Sequence, residues 1–188
     1  MTETTFPRVV SLACHDLRTP LATIYGFART LTRASELDER TLRFLSMIEQ
    51  ASEQMTEILD ELGVAAKIEA GAWEPVLREV DTLKLAGSDD ERVRTEGSGE
   101  QVEAEAESVS RALESLAIAA VLHGPVDQAT WRVDGRTLEL SPVTAAAAPV
   151  VTGDEVRMRD FGSRVARMVI EASGGTLELD GETLRVTL

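Results

Sequence analysis

His15-Asp16-Leu17-Arg18-Thr19-Pro20-Leu21 sits inside a helix-forming run over residues 6–34. Histidine is the side chain whose protonation is most easily tuned near neutral pH, and its ring nitrogen can act as a nucleophile. Thr19 lies four residues after His15, so the two share one helix face. Pro20 lacks an N–H donor and is expected to kink or loosen the helix beside them. Around this stretch runs a seven-residue repeat, Val10, Leu17, Ile24 and Leu31. Ala13, Phe27 and Ala34 stand at the companion spacing, and Leu21 and Ala28 widen the stripe. His15 precedes Leu17 by two residues, about 200° around the helix. It is therefore predicted to face solvent, together with Thr19, Ala22, Gly26 and Arg29. Most of these are small, which suits the close approach of another protein as well as simple tolerance on a wet face.

Residues 35–38 break the pattern as a turn, with Asp38 placed to cap a second helix over 39–70. That helix carries Ile48, Met55 and Leu62 as its seam, with Phe44, Ala51, Ile58 and Ala65 alongside and Leu45 and Leu59 widening it. Two amphipathic helices of this length predict an antiparallel hairpin. Its apolar stripe is too wide for one hairpin to cover, so residues 1–70 are expected to dimerise into a four-helix bundle.

After Gly71 the pattern turns mixed. A strand is predicted over 73–81, and short strands over 92–95 and 101–106 joined near Gly97-Ser98-Gly99. A helix follows over 107–122. Strands 130–133 and 137–140 turn at Asp134-Gly135, a strong hairpin signal. An Ala/Pro loop over 144–151 leads to a helix over 158–173 that stops at Gly174-Gly175. Strands 176–179 and 183–188 turn at Asp180-Gly181. The fold class is α+β: a long helical hairpin over 1–70, then a small α/β sandwich over 71–188.

Composition narrows the function. The 188 residues carry a net charge of −14, a surface repelled by nucleic acid and by anionic lipid. No apolar run approaches the ~20 residues that span a bilayer, and the first twenty residues show no signal-peptide pattern. The expectation is a cytoplasmic protein with neither membrane nor nucleic acid as partner. One cysteine, Cys14, permits no internal disulfide, and two histidines make a zinc site a poor reading. The first seventy residues hold 7 basic and 11 acidic side chains, the rest 12 and 22. The histidine-bearing part is thus the less repulsive one toward an acidic partner.

The stretch 15–21 resembles the phosphoacceptor box of the two-component sensor histidine kinases: histidine, an acid, two residues, threonine, proline, leucine. The continuation Ala22-Thr23-Ile24-Tyr25-Gly26-Phe27 is similar to that family too, as is Lys67-Ile68-Glu69-Ala70-Gly71 before an ATP-binding domain. The order of elements after residue 71 also resembles that domain. The nucleotide boxes, however, are degenerate. Ser115 and Ala119 stand where the family places asparagines, and alanine has no atom to offer the magnesium ion. Ser141-Pro142-Val143-Thr144 replaces the first glycine box with its adenine-reading aspartate. Only Asp160-Phe161-Gly162-Ser163 remains of the second, too few glycines for a phosphate cradle. The first helix of the domain is cut to residues 83–86.

An intact acceptor box beside dismantled ATP boxes resembles the dimeric histidine phosphotransferases of phosphorelays. The stretch before His15 has no sensor or membrane segment, the expectation for a soluble relay protein. The resemblance implies that His15 is the phosphoacceptor, taking phosphoryl from one response-regulator aspartate and giving it to another, without ATP. Asp16 would orient the imidazole. Thr19 would hold a water for regulator dephosphorylation or serve helix packing alone. Arg18 would stabilise phosphoryl charge or stand solvated. Ala22, Gly26 and Arg29 would meet the receiver domain. Magnesium is expected to arrive with that regulator, and no cofactor or metal is assigned to this chain. His123, after a helix end, reads as a dipole partner rather than a catalyst. The competing functions are a non-catalytic pseudokinase scaffold, a response-regulator phosphatase and, furthest from the residues, an ATP-dependent autokinase.

Overall fold

The computed structural model describes residues 5–33, 37–153 and 160–188. Position 34 of the predicted heptad, positions 35–36 of the predicted turn and positions 158–159 of the predicted last helix fall outside them. The chain divides into two units, residues 1–73 and 74–188.

The first unit is a helical hairpin, α1 (Thr5–Thr32) and α2 (Glu39–Glu69). Helix α1 runs unbroken through Pro20. Asp38 caps α2 by accepting the Thr41 backbone N–H at 3.0 Å, and those hydrogen bonds hold its carboxyl below the usual range. At the far end Gly71 takes a left-handed φ of 61°. There Gly71 N–H bonds the Ile68 carbonyl and Ala72 N–H the Lys67 carbonyl, both at 2.9 Å, a Schellman stop that glycine allows.

The helices meet along a stripe of mostly small side chains. Cys14, Leu21 and Ala28 are buried on α1; Leu45, Ser52, Gly63, Ala65 and Ala66 are buried on α2. This corrects the expected seam. Cys14, Leu21 and Ala28 also repeat every seven residues, and small side chains let two helix axes approach closely. The larger residues of the predicted seam stay outside: Leu17 is 53% exposed, Ile24 51%, Phe27 67% and Met55 54%.

The second unit begins with β1 (Arg78–Asp81) and the short α3 (Thr82–Leu85). β2 (Val93–Gly99), β3 (Gln101–Ala104) and α4 (Ala106–His123) follow. Next come β4 (Ala129–Gly135), β5 (Thr137–Ser141), α5 (Ala148–Thr152), α6 (Phe161–Ala172), β6 (Thr176–Asp180) and β7 (Thr183–Thr187). β1 pairs antiparallel with β3, while the main sheet has the order β2-β4-β5-β7-β6, antiparallel except for the β2–β4 pair.

Three expectations change here. The strand foreseen over 73–81 covers only its last four residues, because Pro75 falls in its first half. β2 and β3 do not form a hairpin but join different sheets. The loop over 144–151 ends in a short helix, α5, with Pro149 in its first turn.

One face of the main sheet is apolar. Trp131, Val133, Leu138, Leu140, Leu184 and Val186 are buried there, and α4 supplies Leu113, Leu116, Ala117 and Ala120 to the same core. The other face is polar, and one row of it alternates in charge across all five strands. Glu96, Arg132, Glu139, Arg185 and Glu178 stand in successive register. Arg132 Nη2 reaches Glu96 at 3.0 Å and Arg185 Nη2 reaches Glu139 at 2.8 Å. A one-residue slip would turn this row into the core, so the alternation fixes register.

Candidate functional site: the His15 face of α1

His15 sits in the first half of α1, directly after buried Cys14, and its side chain is 76% exposed. The heptad explains this: Cys14 turns into the hairpin and its neighbour must turn away. His15 Nδ1 lies 3.2 Å from Asp16 Oδ1. Asp16 has only carboxylate oxygens, so the proton of this bond belongs to Nδ1. In the neutral ring that proton on Nδ1 leaves the lone pair on Nε2. The arrangement can present a nucleophilic nitrogen to an electrophile brought by another molecule.

Thr19, Ala22, Gly26 and Arg29 are all exposed on α1, as the spacing predicted. Thr19 receives the Thr23 hydroxyl on its carbonyl at 3.0 Å. Pro20 offers no N–H to the Asp16 carbonyl four residues back. A Cβ built on Gly26 meets nothing within 4 Å, so the surface there is open. Arg29 stacks over Tyr25 at 5.8 Å and donates to its hydroxyl at 3.2 Å.

Arg18 departs from expectation. Half-exposed, it pairs across the hairpin instead: its Nε and Nη2 reach Asp60 Oδ1 on α2 at 2.9 and 2.7 Å. Gly63, one turn beyond, lies against that guanidinium, since a Cβ there would stand 3.4 Å from Nη2. Asp60 and Gly63 escaped sequence reasoning, because a pair 42 residues apart leaves no local spacing signal.

The positions resembling nucleotide boxes have other occupations in the second unit. Ala119 is fully buried on α4. Ser115 lies against Gly162, where a Cβ would approach its Oγ to 3.3 Å. Ser141 ends β5, exposed. After it Val143, Ala147 and Val151 are fully buried and Val150 nearly so. Asp160 caps α6 through the Ser163 N–H at 2.7 Å and reaches His123 Nε2 at 3.3 Å. His123 closes the last turn of α4, and Asp160 is the partner that sequence did not reveal.

Replacing Ala119 with asparagine would put a carboxamide into this packed position. The expected result is a loss of about 1–3 kcal/mol in the stability of the second unit. A lowered melting temperature that magnesium and an ATP analogue do not raise would bear this out; a nucleotide-dependent rise would overturn it.

Comparison with known proteins bears on residues 8–71, which match the family model of the His Kinase A (phospho-acceptor) domain. Over these residues the chain is similar to a histidine-kinase phosphoacceptor domain. The match takes in the whole acceptor box and ends at the Gly71 stop. Two histidine kinase structures show that the fold extends beyond it. Full-length ShkA in complex with AMPPNP superposes with a TM-score of 0.64 at 17% identity, over 96% of this chain and 44% of that one. The Acinetobacter baumannii histidine kinase AdeS gives 0.53 at 16% identity, over 92% and 95%. The chain thus spans less than half the length of ShkA. No curated protein matches it in sequence. Hairpin plus α/β unit is therefore a fold shared with these two histidine kinase structures. Among the described residues no helix is long and apolar enough to cross a membrane.

Proposed function

We propose that this protein is a histidine phosphotransferase of a phosphorelay. It takes phosphoryl from a response-regulator receiver aspartate onto His15 and passes it to another, without using ATP. One contrast carries the reading: His15 is open, with Nδ1 against the Asp16 carboxylate, whereas Ala119, Val143, Ala147 and Val151 fill their positions with buried apolar groups. These residues do not fit a magnesium nucleotide, which needs oxygen ligands and a glycine-lined backbone cradle. In the transfer, the Nε2 lone pair forms a bond to phosphorus as the bond from phosphorus to the aspartyl oxygen breaks. The electron pair stays on the regulator's carboxylate. The ring then holds phosphorus on Nε2 and a proton on Nδ1, and the Asp16 carboxylate stabilises that positive charge. Magnesium comes with the regulator.

The protein acts as a cytoplasmic homodimer through residues 1–70. Support comes from the exposed stripe: Leu17, Ile24, Phe27 and Leu31 on α1, Ile48, Met55 and Ile58 on α2, each 41–67% exposed. An apolar surface of this extent on a hairpin calls for a second hairpin.

The test uses two donors: labelled ATP with magnesium, and receiver domains of the same cell pre-phosphorylated with acetyl phosphate. Acid-labile label on the chain from a receiver and none from ATP is the expected result. Label from ATP would overturn the reading. A bulky residue on the open face separates docking from chemistry. Gly26→Leu removes a helix-interior glycine, whose helix penalty relative to a good helix former is about 0.8 kcal/mol, and its Cβ meets nothing within 4 Å. Transfer from the receiver is expected to fall at least tenfold, the effect of about 1.4 kcal/mol, while labelling by the small donor phosphoramidate is unchanged. Equal loss with both donors would sink the docking role of Ala22, Gly26 and Arg29.

A further inference from the structure

We propose that Asp60 is a positioning residue that holds the Arg18 guanidinium in reserve, and that phosphorylation of His15 draws it off. The inference rests on His15 being the phosphoacceptor. Arg18 gives both Nε and Nη2 to one oxygen, Asp60 Oδ1. The two side chains are 42% and 35% exposed, so the pair stays within reach of solvent and is weak enough to exchange.

Arg18 follows His15 by three residues. Helical side chains three apart are neighbours, and a long one lies over the turn on its N-terminal side. The guanidinium that reaches Asp60 therefore has the imidazole within the same sweep. Phosphorylation adds about −1.5 to −2 charge, against −1 on a carboxylate, and offers several acceptor oxygens to the planar guanidinium fork. It also places that charge beside Asp16. The phosphoryl group is the stronger competitor, and Arg18 divides its time between it and Asp60. Because Asp60 belongs to α2, the phosphorylation state of His15 is transmitted to the opposite helix of the hairpin.

The experiment uses the full chain labelled on His15 with phosphoramidate, and follows the phosphohistidine 31P resonance against pH. A nearby guanidinium favours the dianion and lowers the midpoint. Asp60→Asn frees Arg18 and is expected to lower the midpoint; Arg18→Gln is expected to raise it. Each change corresponds to about a two- to fivefold change in proton affinity, the scale of one exposed charge pair. The double variant matches Arg18→Gln, and Asp60→Glu restores most of the wild-type midpoint. A merely structural pair predicts something else: both single variants lose the same clamp, lower the melting temperature together and shift the midpoint alike or not at all. Shifts of the same sign, or a double variant that sums the singles, would overturn the proposal alone. A wild-type chain that takes no label on His15 would overturn the phosphoacceptor reading and this proposal with it.

Discussion

His15→Gln is expected to remove all acid-labile label from the protein, whichever donor is used, with the melting temperature unchanged. The first half follows from chemistry. Glutamine has no ring nitrogen with a free lone pair, and no other described residue on this face presents one. The second half follows from exposure. The side chain is 76% exposed and its hydrogen-bond partner among the described residues is Asp16, a surface setting where substitutions stay within about 0.5 kcal/mol. Glutamine is also a good helix former. Asp16→Asn should fall between wild type and His15→Gln, because the carboxamide still bonds Nδ1 but loses the charge that stabilises a phosphorylated ring. A reduction of about 10²-fold in labelling rate is the scale for a general acid–base partner. Thr19→Ala tests the phosphatase role separately: it should leave label on His15 intact and, if Thr19 positions a water, slow the loss of phosphoryl from the receiver. Label persisting on His15→Gln would move the acceptor elsewhere, with His123 the first place to look. That outcome is disfavoured by geometry, since His123 is three-quarters buried and engaged by Asp160 at 3.3 Å.

How far the sequence revealed these features depends on the range over which each is encoded. The hairpin is local information: two runs of heptad period, an aspartate cap at Asp38 and a glycine stop at Gly71. The β4–β5 and β6–β7 turns are equally local, and Gly135 and Gly181 adopt the left-handed φ, 57° and 60°, that the Asp-Gly pairs foretold. His15 and its face could be placed because exposure on a helix follows from angle alone. What failed was non-local. Each helix has two apolar stripes, and periodicity does not say which one closes inside a hairpin; side-chain size does, and it selected Cys14, Leu21 and Ala28. β2 pairs with β4 in parallel, with α4 between them in the chain, and parallel partners share no turn signal. Gly97 marks that pairing in hindsight, since its φ of 112° and its closeness to the Val133 carbonyl leave no room for a side chain. Helix α5 is five residues long, too short for any period to show. Arg18 and Asp60 are joined only by the antiparallel packing of α1 on α2.

Trp131→Ala is expected to unfold the second unit while leaving the first able to take label. Trp131 is fully buried at the centre of β4, in register with Leu140 on one side and Thr95 on the other. Several of the buried side chains of α4, among them Ala112, Ala117, Ala119 and Ala120, are too small to fill a space the size of an indole. Truncations of this kind cost about 3–5 kcal/mol, the upper values arising where the walls cannot collapse. A domain of this size has about 5–15 kcal/mol in all, so the α/β unit would lose much of its margin. The hairpin has its own caps, its own buried stripe and the whole His15 site, and residues 1–73 form a separate unit. In a thermal melt the variant should therefore lose sheet signal early and keep a helical transition near that of wild type. Phosphoramidate labelling of His15 should persist through the first transition. Trp131→Phe is the control. It keeps a large ring and gives up an indole N–H that has no acceptor among the described residues, so it should cost far less than alanine. A single transition that carries helix and sheet together, with label lost at the same temperature, would show that the hairpin depends on the second unit for its fold. The α/β unit would then be a structural requirement of the phosphoacceptor domain rather than a separable partner to it.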